Sequence, residues 1–274
     1  MKRQIILAVL FLSWVLCISC GGGSSSSSGP YSTINSGNWS LTATSTVTSG
    51  LVLSIGGSLT QSANVVSGIM LVSSSASNCP SLSGTAIPFT GSFRGNTLTL
   101  KSANFSGQFV TLNAVGSGNS LTGTYSVAGG CADGDKGTIA AIFLPPLTGT
   151  WNGTFRNPDG TPIPINPGNS YFGYATATLT LTQSATAIDG QFPLSGTFDT
   201  NLGYGFCSGT IPDGGISTAA YVMGTFVVIK SGSAGGGEIH FVGQLEETEF
   251  GPVIYGRIVS GTGSCGIPAL LSLM

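Results

Sequence analysis

Apolar and polar residues alternate with a period of two along most of this chain. The clearest runs are Trp39-Ser-Leu-Thr-Ala-Thr, Leu98-Thr-Leu-Lys-Ser, Leu121-Thr-Gly-Thr-Tyr-Ser-Val, Ala175-Thr-Ala-Thr-Leu-Thr-Leu-Thr and Ile239-His-Phe-Val-Gly-Gln-Leu. Successive side chains of a strand point to opposite faces, so each run carries an apolar face and a Ser/Thr face. Gly, Asn or Asp breaks the pattern every 8 to 12 residues, the spacing of hairpin-connected strands. Helical periodicity is absent from these segments. The fold expected is all-β, an antiparallel meander of about eight strands in each half of the chain. Eight such strands can close into a barrel and remove their exposed edges; a pair of open sandwiches is the alternative.

The two halves are copies. Leu59-Thr60-Gln61-Ser62-Ala63, with Gly68 five residues on, recurs as Leu181-Thr182-Gln183-Ser184-Ala185 with Gly190 at the same distance. Gly37-Asn38-Trp39 matches Gly149-Thr150-Trp151, Cys79 matches Cys207 and Cys131 matches Cys265, and the offsets grow in order through 112, 122, 128 and 134. Steady growth is what insertions into a duplicated domain produce. The stiff pair Pro145-Pro146 marks the junction, giving repeats over residues 31–145 and 146–274.

Before the repeats the pattern changes. Met1-Lys2-Arg3 is followed by an apolar stretch from Ile5 to Ile18, then Ser19-Cys20 and a run of only glycine and serine through Gly29. Basic, apolar, then small is the order of a secretory signal, and fourteen residues reach only about 21 Å as a helix, short of a bilayer core of about 30 Å. Leu16-Cys17-Ile18-Ser19-Cys20 resembles the lipobox of bacterial lipoproteins, with Cys17 where that family usually has Leu, Val or Ile. The resemblance implies a signal peptide over residues 1–19, diacylglycerol and further acylation on Cys20, and stable membrane anchoring by more than one chain. Family members retained at the inner membrane often carry Asp after the cysteine. Gly21 stands here, which implies the outer membrane in a two-membrane host, on its periplasmic or surface face. The Gly/Ser linker within residues 20–30 is a flexible tether with a reach of about 17 Å.

Composition narrows the classes. Only 7% of residues are charged while 41% are hydrophobic, the reverse of a disordered chain. Removing Lys2 and Arg3 with the signal leaves six basic and ten acidic residues, a net of −4, with no basic run; nucleic acid is not an expected partner. Cys79, Cys131, Cys207 and Cys265 form an even set in an exported chain, which reads as disulfides. Pairing Cys79 with Cys131 and Cys207 with Cys265 requires only that both copies fold alike, whereas pairing between copies requires a closely docked interface. None of the four lies in a C-x-x-C arrangement, so a metal site is not expected there.

A Gly-x-Trp opening the first strand of an eight-stranded meander resembles the lipocalin and avidin group of up-and-down barrels, and Leu121-Thr-Gly-Thr-Tyr is similar to an avidin strand. Lipocalins place an arginine late in the barrel against that Trp. The resemblance puts Arg257 in this role in copy two, with Thr124 at the aligned place in copy one. Their first inter-strand loop lies over a cup mouth, and by that analogy the insertion Asn157–Ser170, unique to copy two, is a lid, with Tyr171, Phe172 and Tyr174 lining a ligand entrance. The alternative is a surface loop stiffened by proline.

Catalytic chemistry is sparse. His240 beside Glu238 is the only histidine, with no counterpart in copy one, and reads as a strand residue rather than a base. Asp133-Gly134-Asp135 supplies too few oxygens for calcium and reads as a polar turn. Trp39 and Trp151 at strand starts read as plugs for the barrel ends rather than ligand-stacking surfaces. No cofactor is expected. The function expected is a non-enzymatic lipoprotein of the cell envelope that binds a small apolar ligand, a glycan or an envelope protein; a structural or adhesive module is the alternative, and a hydrolytic enzyme ranks last. Ligand cups predict inward-facing small residues around a cavity of a few hundred Å³; structural modules predict filled interiors.

Overall fold

The alternating runs become strands whose inward positions are almost all apolar. A computed structural model describes residues 33–75, 85–165, 173–201, 206–212, 220–231, 239–249, 251–261 and 270–274. Copy one comprises β1 (Gly37–Ser45), β2 (Val52–Ser62), β3 (Val65–Ser74), β4 (Thr85–Arg94), β5 (Thr97–Ser102), β6 (Phe109–Ser117), β7 (Ser120–Ala128) and β8 (Lys136–Phe143). These pair in chain order as a closed antiparallel barrel, with β8 returning to β1 from Trp39 opposite Phe143 to Ser45 opposite Gly137.

Copy two comprises β9 (Gly149–Arg156), β10 (Thr176–Gln183), β11 (Phe192–Asn201), β12 (Phe206–Ile211), β13 (Ala220–Met223), β14 (Phe226–Ser231), β15 (Ile239–Thr248), β16 (Gly251–Gly261) and β17 (Leu270–Leu273). β12 pairs with the C-terminal part of β11 and β13 with its N-terminal part. The two short strands therefore share the fourth position, and β10–β11 pairing closes a second eight-position barrel. The sandwich alternative is excluded by this closure.

Apolar residues face inward and Ser/Thr outward. In β5, Leu98 and Leu100 are buried while Thr97, Thr99 and Lys101 are exposed. A transmembrane barrel has the opposite polarity. Each barrel has its own core cluster.

The repeated sequence landmarks build one latch twice. Trp39 Nε1 donates to the Asn35 carbonyl at 2.8 Å, and Trp151 Nε1 to the Leu147 carbonyl at 3.1 Å. The Gln61 side-chain carbonyl accepts Ile34 N–H at 2.9 Å while its backbone N–H donates to Ser36 Oγ at 3.1 Å; Gln183 makes the matching bonds with Leu147 N–H and Thr148 Oγ1 at the same distances. Both indoles are buried in the cores. The tryptophans are plugs, and the glutamine of each Leu-Thr-Gln-Ser-Ala pins the chain that leads into the plug strand.

One landmark pairs differently from the sequence match. Gly68 stands opposite Leu59, but the residue opposite Leu181 is Gly196, not Gly190. A Cβ on Gly68 would lie 1.8 Å from the Ser58 carbonyl oxygen, and one on Gly196 equally close to that of Thr180; the strands touch too closely for a side chain at either place. Gly190 lies instead in the turn before β11, where a Cβ would meet the Ile69 carbonyl oxygen of barrel one at 2.4 Å.

The barrels belong to one compact unit, Ser32–Met274, and dock through a small clamp. Asn38 is buried on the outside of β1, accepting Gly224 N–H at 2.7 Å and donating to the Gly224 carbonyl at 2.9 Å. Gly224, at φ 58 in the β13–β14 turn, meets Gly56 so closely that a Cβ on either glycine would lie 2.6 Å from the other's Cα. The copy-two equivalent of Asn38 is the exposed Thr150. This residue separates the copies by what it touches.

Candidate functional site

The structure distributes the residues singled out in the sequence. Cys20, Cys79, Cys265, Tyr171 and Phe172 lie outside the described residues. Cys131 sits in a single 3-10 turn and is disulfide-bonded; the backbone of Cys207 lies in β12 opposite Thr200. Tyr174, which follows the insertion, is 45% exposed and bridges Pro164 within it. Ile163 from the insertion packs against the core of barrel two, bonded through its N–H to the Phe155 carbonyl and through its carbonyl to Ala175 N–H. Asp159 accepts bonds from the Thr161 hydroxyl and N–H, which hold its carboxyl below the usual range.

The Asp133-Gly134-Asp135 oxygens diverge. Asp133 accepts Gly129 N–H at 2.7 Å, whereas Asp135 is buried and accepts the Tyr125 phenol at 2.7 Å and the Ser45 hydroxyl at 2.5 Å. Burial, and then the bond to Asp135, push the Tyr125 hydroxyl above the ordinary tyrosine range. Ser45 in turn accepts Val47 and Thr48 N–H, so the carboxylate locks the β1–β2 loop to β8. Among the described residues no three His, Cys, Asp or Glu side chains converge. His240 lies opposite Lys230 on the outside of barrel two, its pKa lowered by partial burial and then by that lysine.

The barrel interiors are occupied. Trp39, Phe89, Phe93 and Met70 are fully buried in barrel one. Within barrel two, Phe155, Phe198 and Phe241 leave room of about 20 Å³ for a water-sized guest, against the 300–1,000 Å³ of ligand sites. Eight strands leave just enough width for side chains or one small ligand, and here aromatic rings take the width. Arg257, expected beside the plug, instead points outward and is exposed. Arginine at an outward position of the alternating strand cannot reach the interior Trp151.

That outward arginine belongs to a grid. Directly opposed residues of antiparallel strands point to the same side, with Cβ atoms about 4.5–5.5 Å apart. Across β15, β16, β17 and β9 the row reads Val242, Arg257, Leu270, Arg156. Beside it, from β14, runs Phe226, Gln244, Tyr255, Ser272, Thr154. All of these but Thr154 line an open groove of about 510 Å³ whose walls are chiefly apolar. Tyr255 and Leu270 are 46% and 39% exposed. Phe226 and Gln244 also line a cleft of about 310 Å³ against Ser40, Ser54 and Ser73 of barrel one.

Counting from the plug identifies the same grid on barrel one, because Thr44 follows Trp39 as Arg156 follows Trp151. Its rows are Asn113, Thr124, Thr138, Thr44 and Thr97, Val115, Thr122, Ala140, Thr42. Arginine, leucine, tyrosine and phenylalanine on one copy stand where the other has threonine. The sequence alone aligns only Arg257 with Thr124; strand register brings Arg156, 101 positions earlier in the chain, to the side of Arg257.

No family model, curated protein or solved structure matches this chain.

Proposed function

We propose that this chain is a non-enzymatic lipoprotein of the cell envelope, anchored through acylated Cys20, whose second barrel binds an apolar or amphiphilic small ligand in the groove on its outer face. The observation that carries the binding assignment is the unequal grid: one scaffold is built twice, and among the described residues the second copy lines an apolar groove with two arginines where the first has threonines. Filled interiors favour the outer face over a lipocalin-like cup. Disulfides within each copy, Cys79–Cys131 and Cys207–Cys265, belong to this reading. The six threonines of barrel one's grid favour a passive, soluble surface there, so its part is that of a spacer and docking partner.

Three experiments test the proposal. Metabolic labelling with a fatty-acid analogue should mark the chain and be lost on Cys20→Ala; persistent labelling of that variant contradicts the anchor. Val242→Asp, on the groove wall, should abolish binding of apolar probes with the fold intact by circular dichroism. Unchanged binding contradicts the groove assignment. Non-reducing peptide mapping that linked Cys79 to Cys207 would overturn the disulfide pairing.

A further inference from the structure

The groove has a direction. Arg156 and Arg257 straddle Leu270 on three adjacent strands, so their Cα atoms are two strand spacings apart, about 10 Å. Val242 and Phe226 lie at the opposite end, on β15 and β14. Among the described residues neither guanidinium has an ion-pair partner, and no carboxylate lines the groove. Arg156 Nη1 donates to the Gly160 carbonyl at 2.9 Å, which fixes its stem and leaves further N–H donors of the fork for a ligand. These are two of the eight basic residues of an acidic chain, placed together on one face. Their copy-one equivalents, Thr44 and Thr124, carry no charge.

We propose that this groove takes an anionic amphiphile, an acyl chain ending in a carboxylate or phosphate. The head sits between Arg156 and Arg257, and the chain runs over Leu270 and Val242 toward Phe226. The inference rests on the groove reading and adds the charge and polarity of its ligand. Guanidinium forks match carboxylate and phosphate geometry and lose less on partial desolvation than an ammonium would. The apolar walls suit methylenes better than the many hydroxyls of a sugar. An acidic glycan is therefore the competing occupant.

The test uses the full acylated chain in zwitterionic nanodiscs, with dodecanoate below its micellar concentration, dodecanol, and an acidic oligosaccharide as probes. Dodecanoate should bind tighter than dodecanol. Arg156→Gln and Arg257→Gln, both on the surface and with unchanged melting temperatures, should each weaken dodecanoate binding about tenfold or more, and leave dodecanol unaffected. Equal binding of dodecanoate to wild type and both variants overturns the anionic-head assignment. If Val242→Asp still abolishes that binding, the groove reading survives. If it too has no effect, both fall. Oligosaccharide binding that is lost in the arginine variants overturns the acyl-chain assignment in favour of a glycan. Sedimentation with phosphatidylglycerol vesicles, measured in wild type and both variants, separates the two sources of the chemistry: arginine-dependent sedimentation identifies a membrane lipid, and its absence beside dodecanoate binding identifies a free fatty acid.

Discussion

Barrel one and barrel two share a scaffold and differ in what they display. Both close eight strand positions, both bury a tryptophan from the first strand, and both latch it with a glutamine of the second. Outside, Thr44, Thr124, Thr138, Thr122 and Thr97 on one copy stand where Arg156, Arg257, Leu270, Tyr255 and Phe226 stand on the other. Duplication keeps what closes a barrel, because interior volume and end bonds constrain those positions together. Outward positions are free of that constraint, so recognition can be written there without unfolding the scaffold.

The shared part is where damage should be greatest. Trp39→Ala removes a fully buried indole and its edge-on contact with Phe143, 5.9 Å between ring centroids, and should cost about 3–5 kcal/mol. Trp151→Ala should cost a similar amount, seen as a lower urea midpoint. A loss below 1 kcal/mol at either site would break the claim that the two latches are equivalent. Next comes the clamp between barrels. Asn38→Ala leaves Gly224 N–H and carbonyl unpaired in a buried contact and should destabilise by about 2–3 kcal/mol, while Thr150→Ala at the equivalent exposed place should stay within about 0.5 kcal/mol. Equal effects would erase this distinction between the copies.

Much of this was legible beforehand. Period-two alternation and the paired Leu-Thr-Gln-Ser-Ala runs lead directly to two eight-stranded copies, since inward apolar residues must face a common core. The plug role of Trp39 and Trp151 follows from their place at strand starts. The groove was not legible, because Arg156, Arg257 and Tyr255 meet through strand register, and closure of β17 against β9 sets that register. Gly190 misled for the same reason: the longer turn before β11 moves the close-contact glycine to Gly196. Arg257 illustrates the limit of a family likeness, since one step in strand parity separates a core position from the surface.

Grafting sharpens the comparison further. Thr44→Arg with Thr124→Arg and Thr138→Leu rebuilds the arginine–leucine–arginine row on barrel one, at exposed sites expected to change stability by less than about 1 kcal/mol. Weak dodecanoate binding should appear there, detectable by titration when the barrel-two groove carries Val242→Asp. The smallest effect concerns His240, whose barrel-one equivalent is Thr111 opposite Lys101. Its folded pKa lies below the 6.5 of an ordinary histidine, so between the two values the unfolded chain binds more protons. Stability is then full above about pH 6.5 and declines as pH falls through that value, levelling below the folded pKa. His240→Gln should flatten this slope in urea melts recorded from pH 7.5 to 5, and an unchanged slope would remove His240 as its source.

The central claim is that recognition resides on the outside of the second copy alone. A diazirine-bearing fatty acid, photolysed with the acylated chain and mapped by peptide mass spectrometry, tests it most directly. Crosslinks should fall on Val242, Tyr255 and Leu270 and be competed by dodecanoate. Crosslinks inside either barrel, or equally on the threonine face of barrel one, would contradict it.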